Sequence, residues 1–172
     1  MYSVKLQSDK TLYHIQAERI LRLQNLSAQK FPNTSGTIPW YIMTSEHTQG
    51  MTSDFFKDNS HFGLQASDIK FFEQCMLPCL TNDGKLILDK KYKISKAPDG
   101  NGGLYKALHK RNILDDLTKR GIKYVHVYGV DNILVKLADP VFIGFCIQKE
   151  ANCAAKVIKI LLNTNNSFKG IL

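Results

Sequence analysis

The chain has 172 residues, 44% of them hydrophobic and 22% charged, enough apolar content for one domain with a real core and too much for intrinsic disorder. No stretch approaches the roughly 18 uninterrupted apolar residues a membrane-spanning helix needs, and the opening Met1–Leu6 has no apolar run of the signal-peptide kind. The formal net charge of +8 favours anionic partners, but the lysines are spread out, with one denser stretch from Lys85 to Lys96, and no nucleic-acid motif accompanies them. A soluble cytoplasmic protein is expected, with neither membrane nor nucleic acid as a partner. Cys75, Cys79, Cys146 and Cys153 lack zinc-finger spacing and are expected to be reduced and mostly buried.

In chain order the first pattern is helical. Leu12, Ile15, Ile20, Leu23 and Leu26 recur at mostly three- and four-residue spacing. Ser8 or Asp9 is the expected cap, and Phe31-Pro32-Asn33 with Ser35-Gly36 the break. Ile38 to Thr44 reads as a buried strand, Thr52 to Asn59 as a short helix and Ile69 to Gln74 as another strand. Asn82-Asp83-Gly84 is a turn signal, and Leu86 to Leu88 with Tyr92 to Ser95 predict a hairpin. The loop Ala97 to Gly103 runs into a helix at Leu104 to Leu108, and a second helix spans Asn112 to Arg120, with Asn112 as cap and Gly121 as stop. Lys123 to Val130 predicts a strongly apolar strand ending in Asp131-Asn132. Asp139-Pro140 opens a helix through Gln148, and Cys153 to Leu162 predicts a last strand.

This alternation implies an α/β fold with a mostly parallel sheet flanked by helices. In such sheets ligands bind beyond the carboxyl ends of the strands, which selects two places. One is the loop from Pro98 to Gly103, where three glycines let a backbone approach a flat base or a phosphate and a helix start offers free N–H groups. A surface turn would look the same. The other is Asp131, whose carboxylate at a strand's end could hold Mg²⁺ or merely cap a turn. Gln74 closes an apolar strand and could read a uracil edge or hydrogen-bond the loop beside it. His126 reads as a core residue, and Asp115-Asp116 as a solvent-facing pair. No catalytic triad or paired general acid and base can be inferred.

The residues Ile38 to Ser45, Gln74 with Met76-Leu77-Pro78, Ala97 to Tyr105, His126-Val127-Tyr128, Val130 to Lys136 and Asp139-Pro140 stand in this order, and the series resembles the eukaryotic UDP-N-acetylhexosamine pyrophosphorylases. The likeness covers about Met1 to Lys156. It implies a Rossmann-like nucleotide-diphospho-sugar transferase fold, incomplete here, with residues 1–157 as the central part of the catalytic domain and 158–172 as a divergent tail. It implies a uridylyltransferase reaction in which UTP and N-acetylglucosamine-1-phosphate give UDP-N-acetylglucosamine and pyrophosphate, with Mg²⁺. Carried over by motif, Gln74 and Gly100 would hold the uracil, Asn101 the sugar, and Asp131 the metal.

The sequence also departs from the family pattern. Members carry upstream a glycine-rich loop with an arginine and a Pro-Lys-Gly segment that bind the triphosphate, and downstream a further half that completes the sugar pocket. Cys75 stands where the family usually has glycine, and Gly129 where it often has cysteine. On this reading the first strand of the sheet is absent, an exposed edge with poor solubility is expected, and the chain alone is inactive. The alternative is a non-catalytic UDP-sugar-binding or interaction fragment.

Overall fold

Helix α1 (Leu12–Lys30) starts where Thr11, in an extended conformation, accepts a hydrogen bond from the His14 N–H at 3.3 Å, satisfying one of the free donors at a helix start. Ser8 and Asp9, the expected caps, lie outside that turn, and Asp9 instead accepts from the Ser3 hydroxyl. The computed structural model describes residues 3, 5, 7–34 and 36–157. Two compact units divide it, Met1–Leu137 and Ala138–Leu172.

In the first unit, β1 (Trp40–Thr44) and β2 (Ile69–Glu73) pair in parallel, Trp40 opposite Ile69 through Thr44 opposite Glu73. Along β1 burial alternates, with Trp40, Ile42 and Thr44 inside, as a pleated strand with one covered face requires. The crossover between them is α2 (Gln49–Asp58). It begins three residues before the expected Thr52, because the Thr48 hydroxyl accepts from the Ser45 N–H at 3.0 Å and closes a polar turn ahead of it.

Phe56 of α2 is fully buried. Its ring meets Tyr13, Trp40, Phe62 and Phe71 at centroid distances of 5.1, 5.4, 5.0 and 5.1 Å, all edge to face, the geometry aromatic quadrupoles favour. Ala17, Ile20, Ile42, Leu64 and Leu137 complete this core. After α2 the chain makes a left-handed turn, with φ of 49°, 53° and 54° at Ser60, His61 and Phe62. Each such residue costs about 1–2 kcal/mol, and the turn drives the Phe62 ring into the aromatic cluster, where burial offsets that cost.

The expected hairpin forms within a flap of short antiparallel strands. Here β3 (Met76–Pro78) pairs with β6 (Lys96–Pro98), and β4 (Leu88–Lys90) with β5 (Lys93–Ile94). Gly84, at φ +82°, makes the turn that Asn82-Asp83-Gly84 signals. A second core lies under α3 (Gly103–Lys110) and α4 (Ile113–Lys119), built from Phe72, Ala107, Ile113 and Leu117. Gly121, at φ +66°, ends α4 as expected: its N–H reaches the Thr118 carbonyl and that of Ile122 the Leu117 carbonyl, a Schellman stop. Asn112 precedes α4 in the left-handed region, and its side chain makes no capping bond.

Three expectations are corrected here. Residues 123–130 join no ladder, so among the described residues the only parallel pairing is β1 with β2 and the other two ladders are antiparallel. Tyr124, Val125 and Val127 are exposed there, while Tyr128 packs against the first core. Apolarity alone predicted a ladder that needs a neighbouring backbone to form. Second, Asp116 is not solvent-facing. It accepts from the Tyr41 hydroxyl at 2.6 Å and pairs with Lys70 and Arg120, each at 3.2 Å. Third, the cysteines are free, but Cys75, Cys79 and Cys146 are only half-buried and Cys153 is exposed.

In the second unit, α5 (Pro140–Gln148) has Asp139 as its cap, accepting from the Val141 N–H at 3.1 Å, and Pro140 in its first turn, as the sequence indicated. Lys156 donates to the other Asp139 oxygen at 2.7 Å, and this bond, with those from the helix start, holds the carboxyl below its usual range. Residues 153–157 form no strand, and residues 158–162 of the expected last strand, like the tail 158–172, lie outside the described residues.

Phe56→Ala is expected to lower unfolding stability by about 3–5 kcal/mol, measured by urea denaturation, because it empties the centre of the aromatic cluster. The Asp116 carboxyl is held below the ordinary range first by the Tyr41 hydroxyl and then by Lys70. A carboxyl depressed in the folded state stabilises above its unfolded pKa and loses that stabilisation as pH falls through the folded value. Asp116→Asn is therefore expected to be less stable than the parent at pH 7, the gap closing below about pH 4 in denaturation curves taken across pH.

Candidate functional site

The backbone at the carboxyl end of β2 continues the parallel ladder for one step, the Gln74 N–H donating to the Thr44 carbonyl at 2.8 Å. The chain then turns into β3, whose antiparallel register with β6 sets Met76 opposite Pro98. The Asp99 N–H extends that pairing by donating to the Cys75 carbonyl at 3.0 Å. One more step of the same register sets Gln74 level with Gly100. Gln74 and the glycine loop, 26 positions apart in the chain, are therefore neighbours.

Gln74 Oε1 is buried and, among the described residues, has no hydrogen-bond partner. A buried acceptor in that state costs about 1–3 kcal/mol. Gly100 has φ +76°, and the space a Cβ would occupy is open. A flat ring could thus approach the backbone there, as the missing side chain allows. Asn101 is exposed beside it. The loop is closed by the Gly103 N–H to the Gly100 carbonyl at 3.1 Å and the Leu104 N–H to the Asn101 carbonyl at 3.2 Å, which lead directly into α3.

Asp131 lies in a turn closed by the Asn132 N–H to the Gly129 carbonyl at 3.1 Å. Its carboxylate is exposed and, among the described residues, has no hydrogen-bond or ion-pair partner. A Cβ on Gly129 would sit 2.8 Å from Asp131 Oδ1, so the glycine leaves that carboxylate its room. The turn is held by side chains of α1 that sequence reasoning passed over. Gln16 Nε2 donates to the Val130 carbonyl at 2.8 Å, and Arg19 donates to the carbonyls of Ile133 and Val135. Gln16 is buried on a helix otherwise read by its apolar stripe. A glutamine at an apolar-face position was the signal available. The Trp40 indole donates to the Tyr128 hydroxyl at 2.8 Å, and Tyr128 donates to Gln16 Oε1 at 3.4 Å. Burial raises the Tyr128 hydroxyl well above its ordinary pKa, so it remains a donor. His126 stacks on Tyr128 at 5.9 Å between ring centroids.

The register of β3 with β6 thus carries Gln74 toward the loop that holds Gly100 and Asn101, while Asp131 lies in a turn held separately by α1. Among the described residues no hydrogen bond or ion pair joins Asp131 to the other three. An open cavity of about 670 Å³ lies at the carboxyl end of β1, lined by Tyr13, Met43, Thr44, Thr48, Met51 and Phe55. It includes none of the four, though Thr44 is bonded to Gln74 through the backbone. One exposed carboxylate suits Mg²⁺, which keeps several waters and often binds one or two carboxylates with substrate phosphates. Among the described residues no cluster of three or more His, Cys, Asp or Glu could enclose a metal.

A family model described as UTP--glucose-1-phosphate uridylyltransferase matches residues 1–170, and the chain belongs to that family. Within it, the similar relatives carry a narrower name. UDP-N-acetylhexosamine pyrophosphorylase-like protein 1 of Xenopus tropicalis is 61% identical over 159 residues, covering 92% of this chain and 31% of that protein. UDP-N-acetylglucosamine pyrophosphorylase of Saccharomyces cerevisiae is 44% identical over 159 residues, covering 92% and 32%. The crystal structure of the Trypanosoma brucei UDP-N-acetylglucosamine pyrophosphorylase, solved with an inhibitor, superposes with a TM-score of 0.80 at 34% identity over 88% of this chain and 31% of that one. The chain spans about a third of the length of the curated relatives it matches. Its α/β architecture, helices with small two-stranded sheets, superposes on the matched part of that crystal structure.

Proposed function

We propose that this chain carries the uridine-recognising part of a UTP:N-acetylglucosamine-1-phosphate uridylyltransferase. The observation that supports this most directly is the unpartnered Gln74 Oε1, level with the open backbone of Gly100. Uracil presents one N–H between two carbonyls. A glutamine amide can accept from that N–H and donate to a neighbouring carbonyl, and a ring lying against Gly100 would meet no side chain. Cytosine has no N–H at the same ring position, so the pairing would favour uridine nucleotides. The names of the relatives point to the same nucleotide.

In this reading Asn101 holds the sugar of N-acetylglucosamine-1-phosphate or of UDP-N-acetylglucosamine, and Asp131 holds Mg²⁺. When bound, the ion would neutralise charge on the triphosphate. The phosphate oxygen of the sugar phosphate attacks the α-phosphorus of UTP. The bond to the oxygen bridging the β-phosphate breaks, and pyrophosphate leaves with that electron pair. Gln74 and Gly100 fix the base, so the α-phosphorus is presented in one orientation. Strands β1 and β2 would belong to a Rossmann-like, mostly parallel sheet. The reaction uses soluble phosphates, and a cytoplasmic location fits it. No helix of the described residues is long and apolar enough to cross a membrane.

Titration calorimetry of the chain with UDP-N-acetylglucosamine tests this. Binding is expected, and Gln74→Leu is expected to weaken it about tenfold, the worth of one buried hydrogen bond of about 1.4 kcal/mol. Unchanged affinity in Gln74→Leu, or equal affinity for a cytidine nucleotide, would overturn the uracil assignment. Asp131→Asn is expected to abolish the increase in UTP affinity on adding Mg²⁺ while leaving affinity without the ion unchanged. Pyrophosphate release from UTP and N-acetylglucosamine-1-phosphate would make the chain a working enzyme; binding without release would make it a UDP-sugar-binding module.

A further inference from the structure

The loop that presents Gly100 has its own brace. Asp99 stands one residue before Gly100, and its N–H is bonded to the Cys75 carbonyl at 3.0 Å, so its backbone is tied to the residue after Gln74. Its side chain is only 15% exposed. It turns toward Gly103, the first residue of α3, which is itself buried. A Cβ on Gly103 would lie 2.7 Å from Asp99 Cβ, 3.1 Å from its Cγ and 3.2 Å from Oδ2. Real Cβ atoms do not approach so closely, so a side chain at 103 would force the Asp99 side chain or the helix start to move.

The Asp99 carboxylate accepts no hydrogen bond among the described residues, and its ion-pair partner is Lys106 Nζ at 4.0 Å. Lys106 is half exposed, and a pair at that separation and exposure contributes little. The observed role of Asp99 is therefore mainly one of shape. Three residues separate the Cys75–Asp99 bond from the start of α3, and the Asp99 side chain packed on Gly103 closes that span from within.

We propose that Asp99 is a positioning residue for the base site: its side chain, packed against Gly103, holds loop 99–103 so that Gly100 stays level with Gln74. The consequence for ligands rests on the uridine reading above, whereas the effect on the loop does not. Asp99→Ala keeps the Cβ contact and removes the Cγ and carboxylate beside it, Asp99→Asn keeps the volume and removes the charge, and Gly103→Ala drives the same contact apart from the other side.

The test measures amide hydrogen exchange of loop 99–103 in the ligand-free chain, and UDP-N-acetylglucosamine affinity by calorimetry. In Asp99→Ala the Asp99 and Gly103 amides are expected to exchange about tenfold faster, and affinity is expected to fall about tenfold. Asp99→Asn is expected to match the parent on both, which a purely electrostatic role would not allow. Asp99→Ala with parental exchange, or Asp99→Asn as impaired as Asp99→Ala, would overturn the proposal. Faster exchange with unchanged affinity would overturn the link to the base site. Should the parent bind no UDP-N-acetylglucosamine, the uridine reading fails, and the exchange arm still decides whether Asp99 braces the loop.

Discussion

The single hydrogen bond from the Gln74 N–H to the Thr44 carbonyl carries the parallel ladder past the end of β2 and fixes where the chain leaves the sheet. The rest of the proposed base site follows from that exit point. Gln74 is held at the carboxyl edge, Cys75 is pinned as partner to Asp99, and the register of β3 with β6 brings the glycine loop alongside. Polar backbone groups at a sheet's end must find partners, and here the partner of β2 is the strand beside it while the partner of Cys75 is the loop itself. A glutamine acceptor left unpaired among satisfied neighbours is then a feature that a ligand can complete.

The aromatic core supports this edge from below. Phe56 joins α2 to β1, β2 and α1 through ring contacts, so both helices and the parallel pair share one packed centre. Its cost is visible in the left-handed turn at residues 60–62, where backbone strain is accepted to bury Phe62. Against the same helix α1, polar contacts from Gln16 and Arg19 add to the packing of Tyr128 and Val135 in holding the Asp131 turn. Gln16 and Arg19 satisfy backbone carbonyls at 130, 133 and 135, which replaces the ladder bonds this segment does not make with a strand. The two halves of the proposed site are thus secured by different physics: backbone register for the base, side-chain donors for the carboxylate.

Much of the local structure was legible in the sequence. The helix from Leu12, the strands near Trp40 and Ile69, the turn at Gly84, the stop at Gly121 and the Asp139-Pro140 start each rest on neighbours within a few residues, and the structure has them all. Such signals are local because the forces are local: apolar periodicity, a positive φ, or an oxygen within reach of free helix N–H groups. The family likeness was legible for the same reason, since motifs such as Ala97 to Tyr105 are contiguous. Expectations that needed a partner elsewhere in the chain fared differently. Thr11, not Ser8 or Asp9, caps α1. Residues 123–130 are apolar but unladdered. Asp116 is drawn to Tyr41 across 75 positions instead of facing water.

By itself the sequence determined which residue types stand where, which segments turn or coil, and which family the chain resembles. Only the tertiary structure decided that the β3–β6 register carries Gln74 toward the glycine loop, that Gln16 and Arg19 steady the Asp131 turn, and that Asp99 fills the space beside Gly103. The reason is physical. Periodicity and capping act over a few residues, whereas register, burial and the absence of a hydrogen-bond partner are properties of what another part of the chain places nearby, and no single stretch of sequence contains that neighbour.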